Sequence, residues 1–226
     1  MVRQMTKLIP QQVQAEYLGI FVKPAFVLYG IAEKLWGTLF SIFSPYQVPI
    51  VDMRNASTSP NPSDQVITVY FGQRGEFNLR LDRIETKIQN TQDLQALPEI
   101  LNRTQEWLRS DVPEFSFRTH LFAYGSQNEL SGTSSQEFLL GLSNIDIPGI
   151  GASEGSGIIF HWDISDRQWR AQLTVDHSLA VPGGLFIQLL VRSEGDSIDY
   201  VAAVKDGDEL LTDALSKLGL ERPIES

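Results

Sequence analysis

The sequence contains no cysteine among its 226 residues, and this absence excludes disulfides, thiolate metal sites and cysteine nucleophiles. Basic residues are also scarce, because 18 Lys and Arg stand against 28 Asp and Glu, for a formal net charge of −10. An acidic surface of this kind repels phosphate backbones at long range. We therefore expect no nucleic-acid partner.

A secretory signal is missing from the first ten residues, which carry Arg3 and Lys7 but no continuous apolar run after them. The absence of disulfides fits a reducing compartment. Together these two features predict a cytoplasmic protein.

Motifs for metal binding and catalysis are missing as well. The three histidines, His120, His161 and His177, show no His-Glu-x-x-His spacing. The strand register predicted below separates His161 from His177 by roughly 16 Å at about 3.3 Å per residue. There is no Gly-x-Ser-x-Gly elbow, and the glycine-rich loop 148–157 precedes a predicted strand, whereas phosphate loops open a helix. We therefore assign no catalytic residue, no metal ligand and no cofactor.

The longest apolar stretch is 25–43, with the sequence AFVLYGIAEKLWGTLFSIF. Glu33 and Lys34 stand in its middle, and each would cost about 2.5–3.5 kcal/mol at the centre of a membrane. We therefore predict no transmembrane segment. Instead, apolar residues recur at helical spacing and predict one amphipathic helix with a wide apolar face. Gly30 and Gly37, two turns apart, are expected to let this helix approach a sheet closely.

The apolar face of this helix has three interpretations. It packs as a core helix across a sheet, it covers a cavity that holds an apolar ligand, or it forms a dimerisation face. The last two interpretations require aromatic side chains that stay partly exposed in the monomer. As the tentative binding face we assign Tyr29, Trp36, Phe40 and Phe43.

The segment 158–177 predicts a β-hairpin whose turn lies at Asp166 and Arg167. With this turn, four apolar pairs share one face: Ile158–Val175, Phe160–Leu173, Trp162–Ala171 and Ile164–Trp169. A shift of one residue would destroy this agreement, so the pattern specifies the register. Both tryptophans are expected in the core.

Further elements follow from periodicity and turn signals. Strands are predicted at 14–22, 66–71, 76–81, 84–88, 115–124, 136–142, 185–191 and 198–204. Helices are predicted at 91–109 and from Asp206 to a glycine cap at Gly219. These elements predict an α+β fold with a largely antiparallel sheet and about three helices packed on it. The chain is expected to form a single domain, 1–226, or two tightly packed sub-domains of approximately 1–110 and 111–226.

The missing catalytic motifs and the wide aromatic helix face favour a non-enzymatic binding or assembly protein. It would act through a protein partner or through self-association. The alternative is a carrier or sensor that binds an apolar small molecule between the N-terminal helix and the sheet. A third hypothesis is a hydrolase whose site would bring one of the three histidines within hydrogen-bond reach of a serine or a carboxylate.

Overall fold

The computed structural model describes residues 5–30, 32–55, 61, 64–89, 95–143 and 156–223. Within these residues the strands are β1 (Thr6–Phe21), β2 (Met53–Asn55), β3 (Ile67–Phe71), β4 (Gly75–Leu79), β5 (Arg83–Ile88), β6 (Phe117–Leu130), β7 (Ile158–Ile164), β8 (Trp169–His177), β9 (Leu185–Glu194) and β10 (Leu220–Glu221). The described ranges also contain four α-helices, α1 (Ala32–Phe43), α2 (Ala96–Asp111), α3 (Ser135–Leu142) and α4 (Tyr200–Lys217). A large antiparallel sheet with helices confirms the α+β class, although the helices number four instead of about three.

The chain divides into two compact units, and neither is a continuous stretch of sequence. The first unit comprises 14–122 and 192–204, and the second comprises 1–13, 123–191 and 205–226. The long strands β1 and β6 contribute residues to both. That the chain forms one domain, or two tightly packed sub-domains of approximately 1–110 and 111–226, stays a prediction.

The first unit contains the strand order β2-β3-β4-β5-β1-β6. Its β3–β4 and β4–β5 pairs are antiparallel, as the sequence predicts for this meander. Helix α1 supplies a buried stripe of Leu35, Leu39, Ile42 and Phe43. The Phe43 ring lies 5.3 Å from the rings of Phe71 and Phe77, centroid to centroid, so this stripe packs on β3 and β4.

The second unit contains the strand order β1-β6-β9-β8-β7, and β10 pairs in parallel with the start of β1. The β7–β8 register is confirmed at every predicted pair, from Ile158–Val175 to Ile164–Trp169. Trp169 is buried, but Trp162 is 36% exposed, so the prediction that both belong to the core is wrong for Trp162. The buried side chains of this hairpin belong to β8, and every residue of β7 is half-buried or exposed.

Four local predictions are wrong. The apolar stretch 25–43 is not one helix, because Phe26–Tyr29 is a 3₁₀ turn and α1 begins at Ala32. Segment 136–142 is helical because Ser134 and Glu137 form a capping box. Segment 198–204 contains the start of α4, where the Asp199 carboxylate accepts a hydrogen bond from the Ala202 N–H, so α4 does not begin at Asp206. An added Cβ at Gly37 would meet nothing within 4 Å, so Gly37 does not serve a close approach to the sheet.

Gly19 is the glycine on which the interior of the first unit depends. A Cβ at this position would lie 2.5 Å from Tyr17 Oη and 2.6 Å from the Phe117 ring. Because residues i and i+2 of a strand share one face, the Tyr17 side chain occupies the space above Gly19. Only a residue without a side chain leaves that space free.

We expect Gly19→Ala to lower the free energy of unfolding by about 1–3 kcal/mol, because it forces two buried rings apart. The control is Gly141→Ala in α3, where an added Cβ meets nothing within 4 Å. That variant should be neutral or up to about 1 kcal/mol more stable. Urea denaturation of both variants measures the difference, and equal stabilities would contradict the packing argument.

Candidate functional site

The four tentative binding residues differ in their environments. Phe43 is 0% exposed and belongs to the core described above. Tyr29 is half-buried and donates a hydrogen bond of 3.1 Å to the Leu79 carbonyl, and its burial raises its pKa to about 12. Trp36 is half-buried, and Phe40 is 49% exposed. Of the four, Trp36 and Phe40 therefore offer surface to another molecule.

The position of Trp36 and Phe40 on α1 follows from helix geometry. At 100° per residue, the buried stripe of α1 lies on one side and these two residues lie together on its flank, one turn apart. Gly37 adjoins them on the exposed side, with open space where its side chain would be. The flank therefore presents two aromatic rings beside a notch.

Sequence reasoning missed other exposed apolar residues near α1. Phe26 and Val27, in the 3₁₀ turn before it, are 63% and 46% exposed. Ile50 and Val51, in the 3₁₀ turn Ile50–Asp52 after it, are 76% and 68% exposed. We call Phe26, Val27, Trp36, Gly37, Phe40, Ile50 and Val51 the 26–51 surface. A 3₁₀ turn of three or four residues is too short to show a periodic pattern of apolar residues. The sequence therefore does not indicate which of its apolar residues are exposed.

Leu39 and Phe43 of α1 and Phe77 of β4 are 0% exposed, so these three side chains are enclosed where the helix meets the sheet. A cleft of about 440 Å³ lies elsewhere, in the second unit, between the start of β1 and the residues of and after β10. Its lining is Lys7, Leu8, Ile9, Pro10, Ser131, Glu221, Arg222 and Pro223. The alternative of an apolar small molecule between helix and sheet stays a prediction.

A buried polar cluster occupies the interior of the first unit. Tyr17 Oη lies 2.7 Å from His120 Nδ1 and 3.2 Å from Tyr200 Oη. All three side chains are at most 1% exposed. Tyr200 Oη lies 2.7 Å from the Gln105 amide. The cluster therefore links β1, β6, α2 and the start of α4 through hydrogen bonds.

His120 is the titratable centre of this cluster. Burial lowers its pKa to about 4, and the backbone of Gly195, which faces the ring as an acceptor, opposes part of that effect. The backbone contact is not a well-formed hydrogen bond, since Nε2 has no partner of acceptable length and angle. Burial also raises the pKa of Tyr17 and that of Tyr200 well above the ordinary value. At neutral pH all three groups are uncharged.

A serine and a histidine meet in the second unit, where Ser135 Oγ lies 2.9 Å from His177 Nδ1. This pair satisfies the contact that the hydrolase hypothesis requires. However, Ser135 is 3% exposed, and its backbone N–H donates to the Gly183 carbonyl at 2.9 Å. The Glu137 N–H is taken by Ser134 Oγ. Two backbone donors at this helix start are therefore committed, whereas an oxyanion hole needs them free.

Among the residues that the structure describes, no three His, Asp or Glu side chains come together as a group that could hold a metal ion. No helix in the described ranges is both long and apolar enough to cross a bilayer. The glycine-rich loop 148–157 lies outside the described residues except for Ser156 and Gly157.

The chain was also compared with known proteins. A scan against protein-family models finds no match, and a search of curated proteins finds no significant relative.

We predict that acid destabilises the first unit through His120. The pKa of His120 is about 4 in the folded protein against an ordinary 6.5, so between these two pH values the unfolded chain binds a proton at His120 and the folded chain does not. The contribution of neutral His120 to the free energy of unfolding is complete above pH 6.5. It is lost as the pH falls to about 4, by about 3 kcal/mol in total. Denaturation midpoints measured between pH 7 and pH 4 give the slope.

The matched variant is His120→Asn, whose side chain still accepts a hydrogen bond from Tyr17 but does not titrate in this range. Carboxylates contribute equally to both proteins, so subtraction of the two pH profiles isolates the histidine. Parallel profiles would show that His120 is protonated as readily when folded as when unfolded.

We further expect a fluorophosphonate probe to leave Ser135 unmodified, because its hydroxyl is buried and bonded to His177. Intact-mass spectrometry after incubation with the probe measures this. Labelling that disappears in Ser135→Ala would instead support the hydrolase hypothesis.

Proposed function

We propose that this chain is a non-enzymatic assembly protein that associates with a second copy of itself through the 26–51 surface. The observation that supports the proposal is the exposure of Phe26, Phe40, Ile50 and Val51, which lies between 49% and 76%. These residues lie in α1 or in the 3₁₀ turns before and after it in the chain. Large apolar side chains that are left in water are typical of association surfaces.

The area of the surface agrees with what a stable dimer needs. The exposed fractions of its five most exposed apolar residues correspond to roughly 500 Å² at the usual size of such side chains. A standard interface buries about 800 Å² per partner, of which about three fifths is apolar. If one partner covers all five residues, they provide the apolar part of one such interface.

The shape of the α1 flank favours a second copy as the partner. Phe40 projects beside the notch at Gly37, three residues away on the same side of the helix. If two α1 helices pair antiparallel about a two-fold axis between residues 38 and 39, the Phe40 of each copy faces the Gly37 of the other. A knob beside a notch is self-complementary in this way, as a two-fold interface requires.

The glycine itself fits this arrangement. Glycine within a helix is less stable than alanine by about 0.5–1 kcal/mol, and a Cβ at position 37 would meet nothing within 4 Å in the part of the chain that the structure describes. A partner's aromatic ring that approaches the helix backbone closely would require glycine at position 37. Burial of Phe40 against it would then contribute to the dimer.

We predict that Phe40→Ser weakens the dimer at least about tenfold, as loss of a central aromatic contact does. Sedimentation velocity and light scattering over a concentration series measure the dissociation constant. The control is Val201→Ser, an apolar helix residue that is 59% exposed outside the 26–51 surface. It should leave the dissociation constant unchanged.

Gly37→Gln separates association from folding. Glutamine raises helix propensity, so the monomer should be more stable to heat, while its side chain fills the notch and weakens the dimer. Higher ionic strength should strengthen the wild-type dimer, since two copies of charge −10 repel each other. A wild-type protein that stays monomeric at every concentration overturns the proposal.

A further inference from the structure

The buried cluster of the first unit continues from Tyr200 to the surface. Arg109 is 42% exposed on its side chain, and its Nη2 lies 3.0 Å from Asp196 Oδ2. When the Gln105 amide oxygen faces Arg109, it accepts hydrogen bonds of 3.1 and 3.3 Å from the guanidinium, and the amide nitrogen lies 2.7 Å from Tyr200 Oη. Arginine can only donate, so this is the orientation in which every group of the pair is satisfied.

The orientation of Gln105 fixes the next hydrogen bonds in turn, because each hydroxyl carries one hydrogen. Gln105 donates to Tyr200 Oη, so the Tyr200 hydroxyl is free to donate to Tyr17 Oη at 3.2 Å. The Tyr17 hydroxyl then donates to His120 Nδ1 at 2.7 Å. The imidazole accepts at Nδ1 and, being neutral, carries its hydrogen on Nε2.

We propose that Arg109, Gln105, Tyr200, Tyr17 and His120 form one hydrogen-bond chain with a single direction, and that protonation of His120 reverses it and breaks the Gln105–Arg109 contact. The fold thus contains an acid-sensitive latch with Gln105 as its pivot. This inference is independent of the association proposed above, because it concerns the interior of one chain.

The reversal follows from counting hydrogens. Protonated His120 has a hydrogen on Nδ1 and donates to Tyr17. Within the cluster, the Tyr17 hydroxyl hydrogen is then satisfied by donation to Tyr200, and the Tyr200 hydroxyl hydrogen by donation to Gln105. The Gln105 oxygen then turns to Tyr200, and its NH₂ turns to the guanidinium. Donors face donors there, and Arg109 loses both of its hydrogen bonds to Gln105.

The charged groups around the imidazole act on this equilibrium in opposite senses. Asp196 favours the protonated ring, and Arg109 disfavours it. Asp196 also accepts a hydrogen bond from the Phe117 N–H at 2.8 Å, at the start of the strand that carries His120. On that strand Thr119 donates to Glu194, a second carboxylate near the ring's own element. The two tyrosines stay neutral throughout because burial raises the pKa of each.

Long-range ¹H–¹⁵N correlation spectra of the histidine rings at pH 8 test the direction of the chain. His161→Gln and His177→Gln, made separately, assign two of the three ring systems and leave His120 by elimination. We expect the Nε2–H tautomer for His120. The Nδ1–H tautomer would overturn the proposal, since Tyr17 would then have to accept from the ring.

Gln105→Glu tests the pivot. A carboxylate accepts from Tyr200 and from Arg109 at once, so the reversed chain no longer costs a contact. We expect the Nδ1–H tautomer to become detectable at pH 8 and the protonation constant of His120 to rise at least about tenfold, or one pKa unit.

The control for the added charge is Asn102→Asp, an exposed position one turn earlier on α2. It should raise the protonation constant less and leave the tautomer unchanged. If Gln105→Glu and Asn102→Asp have the same effect on the tautomer, charge alone acts and Gln105 is not the pivot.

Discussion

The hydrogen bond between Tyr17 and His120 is the constraint on which the interior of the first unit depends. A buried polar group without a partner costs about 1–3 kcal/mol, so two strands that bring a phenol and an imidazole into the core must place them in register. Their 2.7 Å contact joins residues 103 positions apart in the chain. Gly19 provides the space for the Tyr17 phenol. Tyr200 is the second hydrogen-bond partner of that phenol, and Gln105 in turn bonds Tyr200.

The same requirement explains why this core is more specific than an apolar one. Leucine and phenylalanine side chains tolerate small shifts, whereas a chain of hydrogen bonds is satisfied only when each atom is in reach of the next. The row of hydrogen-bonded groups ends at the Arg109–Asp196 ion pair, whose side chains are partly exposed, so its charges are solvated. Only neutral groups are removed from water in the interior. This arrangement avoids the cost of a buried ion pair.

Much of the fold could be predicted from local patterns. The β7–β8 register follows from four apolar pairs that agree only in one alignment, and the β3–β4–β5 meander follows from alternation and turn residues. The segments 136–142 and 198–204 contain apolar residues that suit a strand, but capping by Ser134 and Asp199 starts a helix in each. The polar cluster was beyond prediction, since His120 shares its strand with apolar residues on both faces and its partners come from distant parts of the sequence.

The candidate surface was only partly predictable for a related reason. Periodicity shows which helix residues share a face, and it places Leu35, Leu39 and Ile42 together. It does not show how far the neighbouring sheet extends around the helix, and that distance decides that Phe43 is enclosed and Phe40 is not. Gly37 supports the same association surface, because glycine weakens α1 and a Cβ at this position would meet nothing within 4 Å. The exposed rings of Phe26 and Phe40 are likewise unfavourable in water. Each feature alone is unfavourable for an isolated monomer, and one contact that covers this flank would account for both.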